Sequence, residues 1–252
     1  MSRYYQNSPI VEAVCEFRFA PGQPWDWTVP GLVYDRLKDE FPKKRQQNAL
    51  QLQLRAEDQE IAQSIKGGVA LMQFLRADES ALIQVGPDLL TVNHAQPYSN
   101  WQTFRGMIER ALDTYQNIVK PQGITRIGLR YINRIEIPEH QVTIEDYLLA
   151  TPRAPQTISQ IFAAWAQRIE MPLPQVNGIL VLQSGSLPDP QQKKVIFLLD
   201  LDLFTAPSSE HLPINLASDW IERAHTEIEQ AFEACITDKT RPLFREVITH
   251  DE

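Results

Sequence analysis

Three arginines, Arg126, Arg130 and Arg134, recur at every fourth residue in the segment 123–138. In a strand, side chains alternate with a period of two, so this spacing sets all three on one face, neighbours about 13 Å apart. Gly128 and Ile132 lie between them, while Ile127, Leu129, Tyr131, Ile135 and Ile137 occupy the opposite face with Asn133 as its polar member. A guanidinium is a planar fork that binds carboxylate or phosphate with two hydrogen bonds. A row of them facing a groove is therefore chemistry for an acidic ligand, and a row facing acids on adjacent strands is a salt-bridge ladder. Acids with the matching four-residue spacing, Glu12 and Glu16, lie in the alternating run 10–19. Antiparallel pairing of the two segments would set both acids beside arginines. Arg18 in the run 10–19, Arg168, and the pair Asp200 and Asp202 in the alternating run 195–204 complete the charges read opposite the core. Two aspartates ~7 Å apart on one strand face could hold magnesium between themselves and a phosphate. A plain solvent face would carry more Lys, Thr, Ser and Gln, whereas arginines interleaved with acids predict a partly enclosed polar layer.

The elements that must position these charges follow from the periodicity. Residues 10–19 and 123–138 alternate as strands, and further strands are expected at 50–55, 69–76, 81–85, 89–93, 176–183 and 195–204. Residues 162–171 are a strand candidate that Ala163, Ala164, Trp165 and Ala166 leave open to a helical reading. Helices are predicted at 30–41, over about 18 to 20 residues between a Ser99 cap and Pro121, and at 217–236, where Trp220, Ile221, Ala224, Ile228, Ala231, Phe232 and Cys235 form an apolar stripe. The triplet Lys43, Lys44, Arg45 reads as a solvated loop after the first helix. Two rhyming halves emerge, each with strands followed by a long helix near a tryptophan, Trp101 or Trp220. The expected division is 1–138, a connector at 139–157 holding one short helix, and 158–252, all within one compact unit. The predicted fold class is α+β: a curved, mainly antiparallel sheet with two long packed helices, and with closure into a barrel left open.

Composition sets further bounds. The 252 residues are 43% hydrophobic and 22% charged, enough for a packed core, and the net charge of −8 argues against a surface-wide nucleic-acid footprint. Cys15 and Cys235 are too few for a disulfide framework or a cysteine zinc site and read as buried thiols. Residues 1–9 hold no apolar signal region, and no apolar run approaches the ~20 residues of a bilayer span, so a soluble cytoplasmic protein is expected. Phosphate loops, dinucleotide-binding glycines, a nucleophile elbow and a His-Glu-x-x-His helix are all absent from the sequence. His94, His140, His211, His225 and His250 show no metal-ligand spacing; four read as loop or edge residues and His225 as a hydrogen-bonded structural histidine. Asn133 reads as a satisfied core amide, and Trp25 and Trp27 as covers over a core.

The chain resembles a sporadically distributed family of bacterial proteins of about this length for which no activity is established. The resemblance rests on the start Asn7-Ser8-Pro9-Ile10-Val11-Glu12-Ala13-Val14, the centre Arg126-Ile127-Gly128-Leu129-Arg130-Tyr131-Ile132-Asn133-Arg134-Ile135, and the tail from Glu229 through Asp238 to Phe244. It implies a bacterial origin and one shared architecture; the sporadic distribution looks like that of mobile defence or toxin-antitoxin genes. The first functional expectation is a non-enzymatic binding or regulatory protein, without cofactor, recognising an acidic ligand or protein partner through Arg126, Arg130, Arg134, Glu12, Glu16 and Arg168. A second is a magnesium-dependent phosphate-tunnel phosphohydrolase or nucleotide-binding enzyme with Asp200 and Asp202 on the metal. Its weak point is the start Glu12-x-x-x-Glu16-x-Arg18, which departs from the alternating Glu-x-Glu-x-Lys of tunnel enzymes. A third is a structural subunit of an assembly.

Overall fold

Alternation of apolar and polar residues carries most of the chain into strands. The computed structural model describes residues 4–22, 24–57, 60–159, 161–191 and 193–247, with the backbone alone described at 48–57 and 60–70. In chain order the elements are β1 (Tyr4–Tyr5), β2 (Ile10–Phe19), α1 (Val29–Leu37), β3 (Lys43–Glu57), β4 (Glu60–Leu75), β5 (Ala81–Gly86), β6 (Leu89–Ala95), α2 (Trp101–Val119) and β7 (Ile124–Ile137). They continue with β8 (Ala166–Leu173), β9 (Gly178–Leu187), β10 (Val195–Thr205), α3 (Ala217–Cys235) and β11 (Glu246–Val247). Strands β1 and β11 form a small pair. The other nine make one antiparallel sheet in the order β3-β4-β5-β6-β2-β7-β10-β9-β8, curled but not closed into a barrel.

The period of two gives this sheet two unlike faces. Ala13, Cys15 and Phe17 on β2, Ile127 and Leu129 on β7, and Leu199, Leu201 and Leu203 on β10 are fully buried on the face that α2 and α3 cover. Helix α2 forms because Phe104, Met107, Ile108, Ala111, Leu112 and Tyr115 recur at three- and four-residue steps, making one apolar stripe. Its start is capped by Asn100, whose side chain accepts from the Thr103 N–H at 2.8 Å; the expected cap, Ser99, instead bonds His94. Lys120, at φ 51°, turns the chain out of α2 ahead of Pro121. The Tyr115 ring stacks on Phe19 at 4.7 Å, and its hydroxyl donates to the Gly86 carbonyl. On α3, the Trp220 indole N–H donates to the Val176 carbonyl at 2.9 Å, fixing the helix against the turn before β9.

The topology repeats itself. In the first unit, β2 lies beside β6, the last strand of the meander β4-β5-β6, and α2 follows; in the second, β7 lies beside β10, the last strand of β8-β9-β10, and α3 follows. By strand order the two units meet between β2 and β7, so a topological division falls near Pro121 and gives β7 to the second unit.

Several local expectations change. Lys43, Lys44 and Arg45 open a long strand instead of a loop, because Lys43 pairs with Glu79, Lys44 lies over the Tyr34 ring and Arg45 bonds Gln73. The segment 162–171 resolves as strand from Ala166, and the short helix expected at 139–157 is a single 3-10 turn, Ile144–Asp146. The alternation read at 50–55 lies within β3, where side chains are outside the described residues, as is His250.

Candidate functional site

The face of the sheet away from α2 and α3 carries the charges, and the strand registers set them in rows. One row runs Arg168, Gln183, Asp200, Ile132, Glu12 and Ala95 across β8, β9, β10, β7, β2 and β6. A second sets Asp202, Arg130, Val14 and Asn93 side by side, and a third sets Phe204, Gly128, Glu16, Thr91, Gln84 and Gln73. Acids and arginines therefore meet at the centre of the sheet, on β2, β7 and β10.

At that centre Arg130 donates to Asp200 through two nitrogens, Nε to Oδ1 at 2.8 Å and Nη2 to Oδ2 at 2.5 Å. Asp200 is only 3% exposed, and Gln183 Nε2 also donates to its Oδ2 at 3.1 Å. The Arg130 side chain itself keeps 41% exposure, so a buried carboxylate holds a half-exposed guanidinium in one orientation. The bond to Asp200 raises the Arg130 pKa further above its ordinary value. Arg126 donates to Glu16 at 2.9 Å, stands 3.8 Å from Asp202 and lies over the Phe204 ring at 4.5 Å. Gly128 makes that pose possible, since a Cβ there would lie 2.9 Å from Arg126 Nη1. Burial pushes the Asp202 carboxyl up from the ordinary aspartate range, against the pull of Arg126 and Arg130.

A network of amides, ending on Arg45 and Glu12, continues this layer toward β3. Arg45 donates to Gln73 at 2.7 Å, Gln73 to Gln47 and to Gln84 at 2.8 Å, Gln84 to Asn93 at 3.3 Å, and Asn93 to Glu12 at 2.7 Å. Gln73 and Asn93 are buried on this face, where their amides hydrogen-bond one another's neighbours in the chain of contacts above.

The sequence reading thus brings Glu12, Glu16, Arg126, Arg130, Asp200 and Asp202 together on one face. Two candidates stand apart from the centre: Arg134 pairs with Glu136 at 3.0 Å, and Arg168, on the edge strand, pairs with Glu170 at 2.7 Å. Asn133 is the satisfied core amide expected, donating to the Leu199 carbonyl at 3.0 Å. For a metal, Asp200 offers little, since both of its oxygens already accept from Arg130 and one also from Gln183. Among the described residues, no group of three or more His, Cys, Asp or Glu side chains could hold a metal ion.

Sequence reasoning missed the amide network because single glutamines carry no chemical signature. The available signal was their alternation with apolar residues: Gln73 beside Phe74, Gln84 beside Ile83 and Val85, Asn93 beside Val92. It also misplaced His94, a buried strand residue whose imidazole burial biases toward the neutral form, and Trp27, which is 62% exposed. On the helix side, His225 stacks on Trp101 at 4.1 Å and faces the Tyr131 hydroxyl at 3.2 Å and Glu229 at 3.4 Å. Burial raises the Tyr131 phenol well above its ordinary pKa, so this cluster clamps α2 to α3 over β7 with a neutral tyrosine. Two open depressions of about 380 and 460 Å³, one lined by Trp27, Gln46 and Met72 and one by Leu212, Asp219 and Arg223, lie off the charged centre.

Fold and site together define an α+β protein built on one curled antiparallel sheet, with a preorganised polar layer behind an apolar core. No protein-family model matches the chain, and no curated protein matches it. None of the described helices is long and apolar enough to cross a membrane.

Proposed function

We propose that this chain is a non-enzymatic binding protein whose polar sheet face engages an acidic segment of a protein partner, with Arg130 and Arg126 as the recognising donors. The observation that carries the reading is the Arg130–Asp200 unit: a buried carboxylate orients a guanidinium that remains 41% exposed. Nε and Nη2 are engaged by Asp200, and a partner carboxylate would meet the N–H groups that this pairing leaves over. Arg126, resting on Phe204 and bonded to Glu16, is restrained in the same way.

The balance of charge favours a protein segment over a polyphosphate. Four carboxylates, Glu12, Glu16, Asp200 and Asp202, surround the two guanidiniums, so a densely anionic ligand would meet like charge on every side. A polypeptide can answer both signs, setting an acid against Arg130 and a base or amide against Glu12 and Asp202. The buried thiols Cys15 and Cys235 suit a reducing cytoplasm, and the resemblance to sporadically distributed bacterial proteins suits a partner-binding role in a defence or toxin-antitoxin setting.

The test replaces the charged unit by amides, Arg130→Gln with Asp200→Asn, which leaves no lone charge buried. Folding is checked by circular dichroism and melting. Wild-type protein is expected to capture a partner from bacterial extract that the double variant loses. Retention of every partner by the folded variant would overturn the proposal. So would stabilisation of the wild type by inorganic polyphosphate with magnesium that the variant loses, since that result belongs to the phosphate enzyme.

A further inference from the structure

Strand β8 ends the sheet, and its exposed outer edge carries a pattern that matches itself. The Ser186 N–H donates to the Trp165 carbonyl at 3.0 Å, which fixes the hydrogen-bonding phase of β8 against β9. With Ala166 opposite Gly185, the backbone groups of Gln167, Ile169 and Met171 face β9, and those of Ala166, Arg168, Glu170 and Pro172 face outward. Arg168 lies opposite Gln183, hence on the polar face, and Ile169 lies opposite Leu182, on the apolar face. Ile169 is 43% exposed there, and the Arg168 and Glu170 side chains are more than half exposed.

We propose that this edge pairs with the same edge of a second copy of the chain, antiparallel and centred on Ile169, so that two sheets join into one across a two-fold axis. In that register Arg168 and the second copy's Glu170 exchange both backbone hydrogen bonds, and their side chains lie directly opposite as a cross-strand ion pair, twice by symmetry. Ile169 meets its own copy at a non-hydrogen-bonded position, where Cα atoms approach to about 4.5 Å, and its exposed side chain is covered. Adjacent registers fail. Centring on Arg168 opposes arginine to arginine, and centring on Glu170 opposes glutamate to glutamate. Pro172, which has no N–H to donate, limits pairing at the far end. Charges that repel off-register strands thus select one pairing, and that pairing makes the two polar faces continuous through Arg168 and Gln183. The inference stands independently of what the polar face binds.

Sedimentation velocity on the full chain tests it. Wild type is expected to show a concentration-dependent monomer–dimer equilibrium. Arg168→Glu and Glu170→Arg should each weaken it by about tenfold or more, and combining them should restore it, because the reversed pair meets in the same register. Ile169→Cys is expected to give a disulfide-linked dimer under mild oxidation, against a low background because Cys15 and Cys235 are buried. A wild type that stays monomeric at its highest soluble concentration would overturn the proposal. So would single reversals that associate as well as wild type, or an Ile169→Cys protein that does not cross-link.

Discussion

The same strands build both faces of this sheet, residue by residue in alternation, and the two faces are held by different physics. On the covered face, Phe17, Leu129 and Leu199 lose all contact with water under α2 and α3, and each such burial contributes about 1.5–3 kcal/mol. On the polar face, charges satisfy one another: Arg130 with Asp200, Arg126 with Glu16. Removing water from two charges costs about as much as their attraction returns, so a layer of this kind adds little net stability. The comparison teaches that the first face accounts for most of the stability, and on the proposed reading the second serves recognition.

That division can be broken at several points. The largest effect is expected from Leu199→Ala on the covered face, a loss of about 2–5 kcal/mol measured by urea denaturation, with the double variant Arg130→Gln and Asp200→Asn costing about 1 kcal/mol or less. Equal losses would end the distinction between the faces. Next is Arg130→Ala alone, which leaves the 3%-exposed Asp200 carboxylate with Gln183 as its remaining side-chain donor among the described residues; about 2–3 kcal/mol is expected, more than for the amide pair, by the same denaturation. Smaller still is Gly128→Ala, whose Cβ must displace Arg126 Nη1 from 2.9 Å; about 1 kcal/mol or less is expected, with the guanidinium moved off Phe204 in a crystal structure.

The smallest effect has the opposite sign. Because burial raises the Asp202 pKa in the folded state, its contribution to stability is greatest below the ordinary aspartate range and is lost as pH rises through the folded value. Asp202→Asn is therefore expected to raise the melting temperature slightly at neutral pH, with the gain vanishing on acidification. A gain that grew as pH fell would contradict the sign.

Much of this contrast was legible in the sequence. The alternation in β2 and β7 and Asn133 as the polar exception carried into the structure; of the expected acid–arginine ladder Glu16 does accept from Arg126, while Glu12, opposite Ile132, accepts from Asn93. Helices α2 and α3 were legible because their stripes sustain a period over nineteen residues each. Pairing partners were not. Arg134 and Arg168 shared the type and strand setting of Arg130, yet Glu136 and Glu170, two residues along the same strands, claim them. Strand order was equally hidden: placing β7 with the second repeat requires knowing that it lies beside β10, a contact between residues far apart in sequence. Lys43, Lys44 and Arg45 read as a loop because their partners, Glu79, Tyr34 and Gln73, are likewise distant.

The most direct measurement of the central claim is site-specific photo-crosslinking. A photoreactive residue in place of Ile132, between Arg130 and Arg134 on the polar face, is compared with one in place of Asn117, exposed on α2. Incubated with bacterial extract, the Ile132 probe is expected to cross-link to a defined protein partner through an acidic segment, and the Asn117 probe is not. Cross-linking from Asn117 with none from Ile132 would contradict the account and move recognition to the helix side.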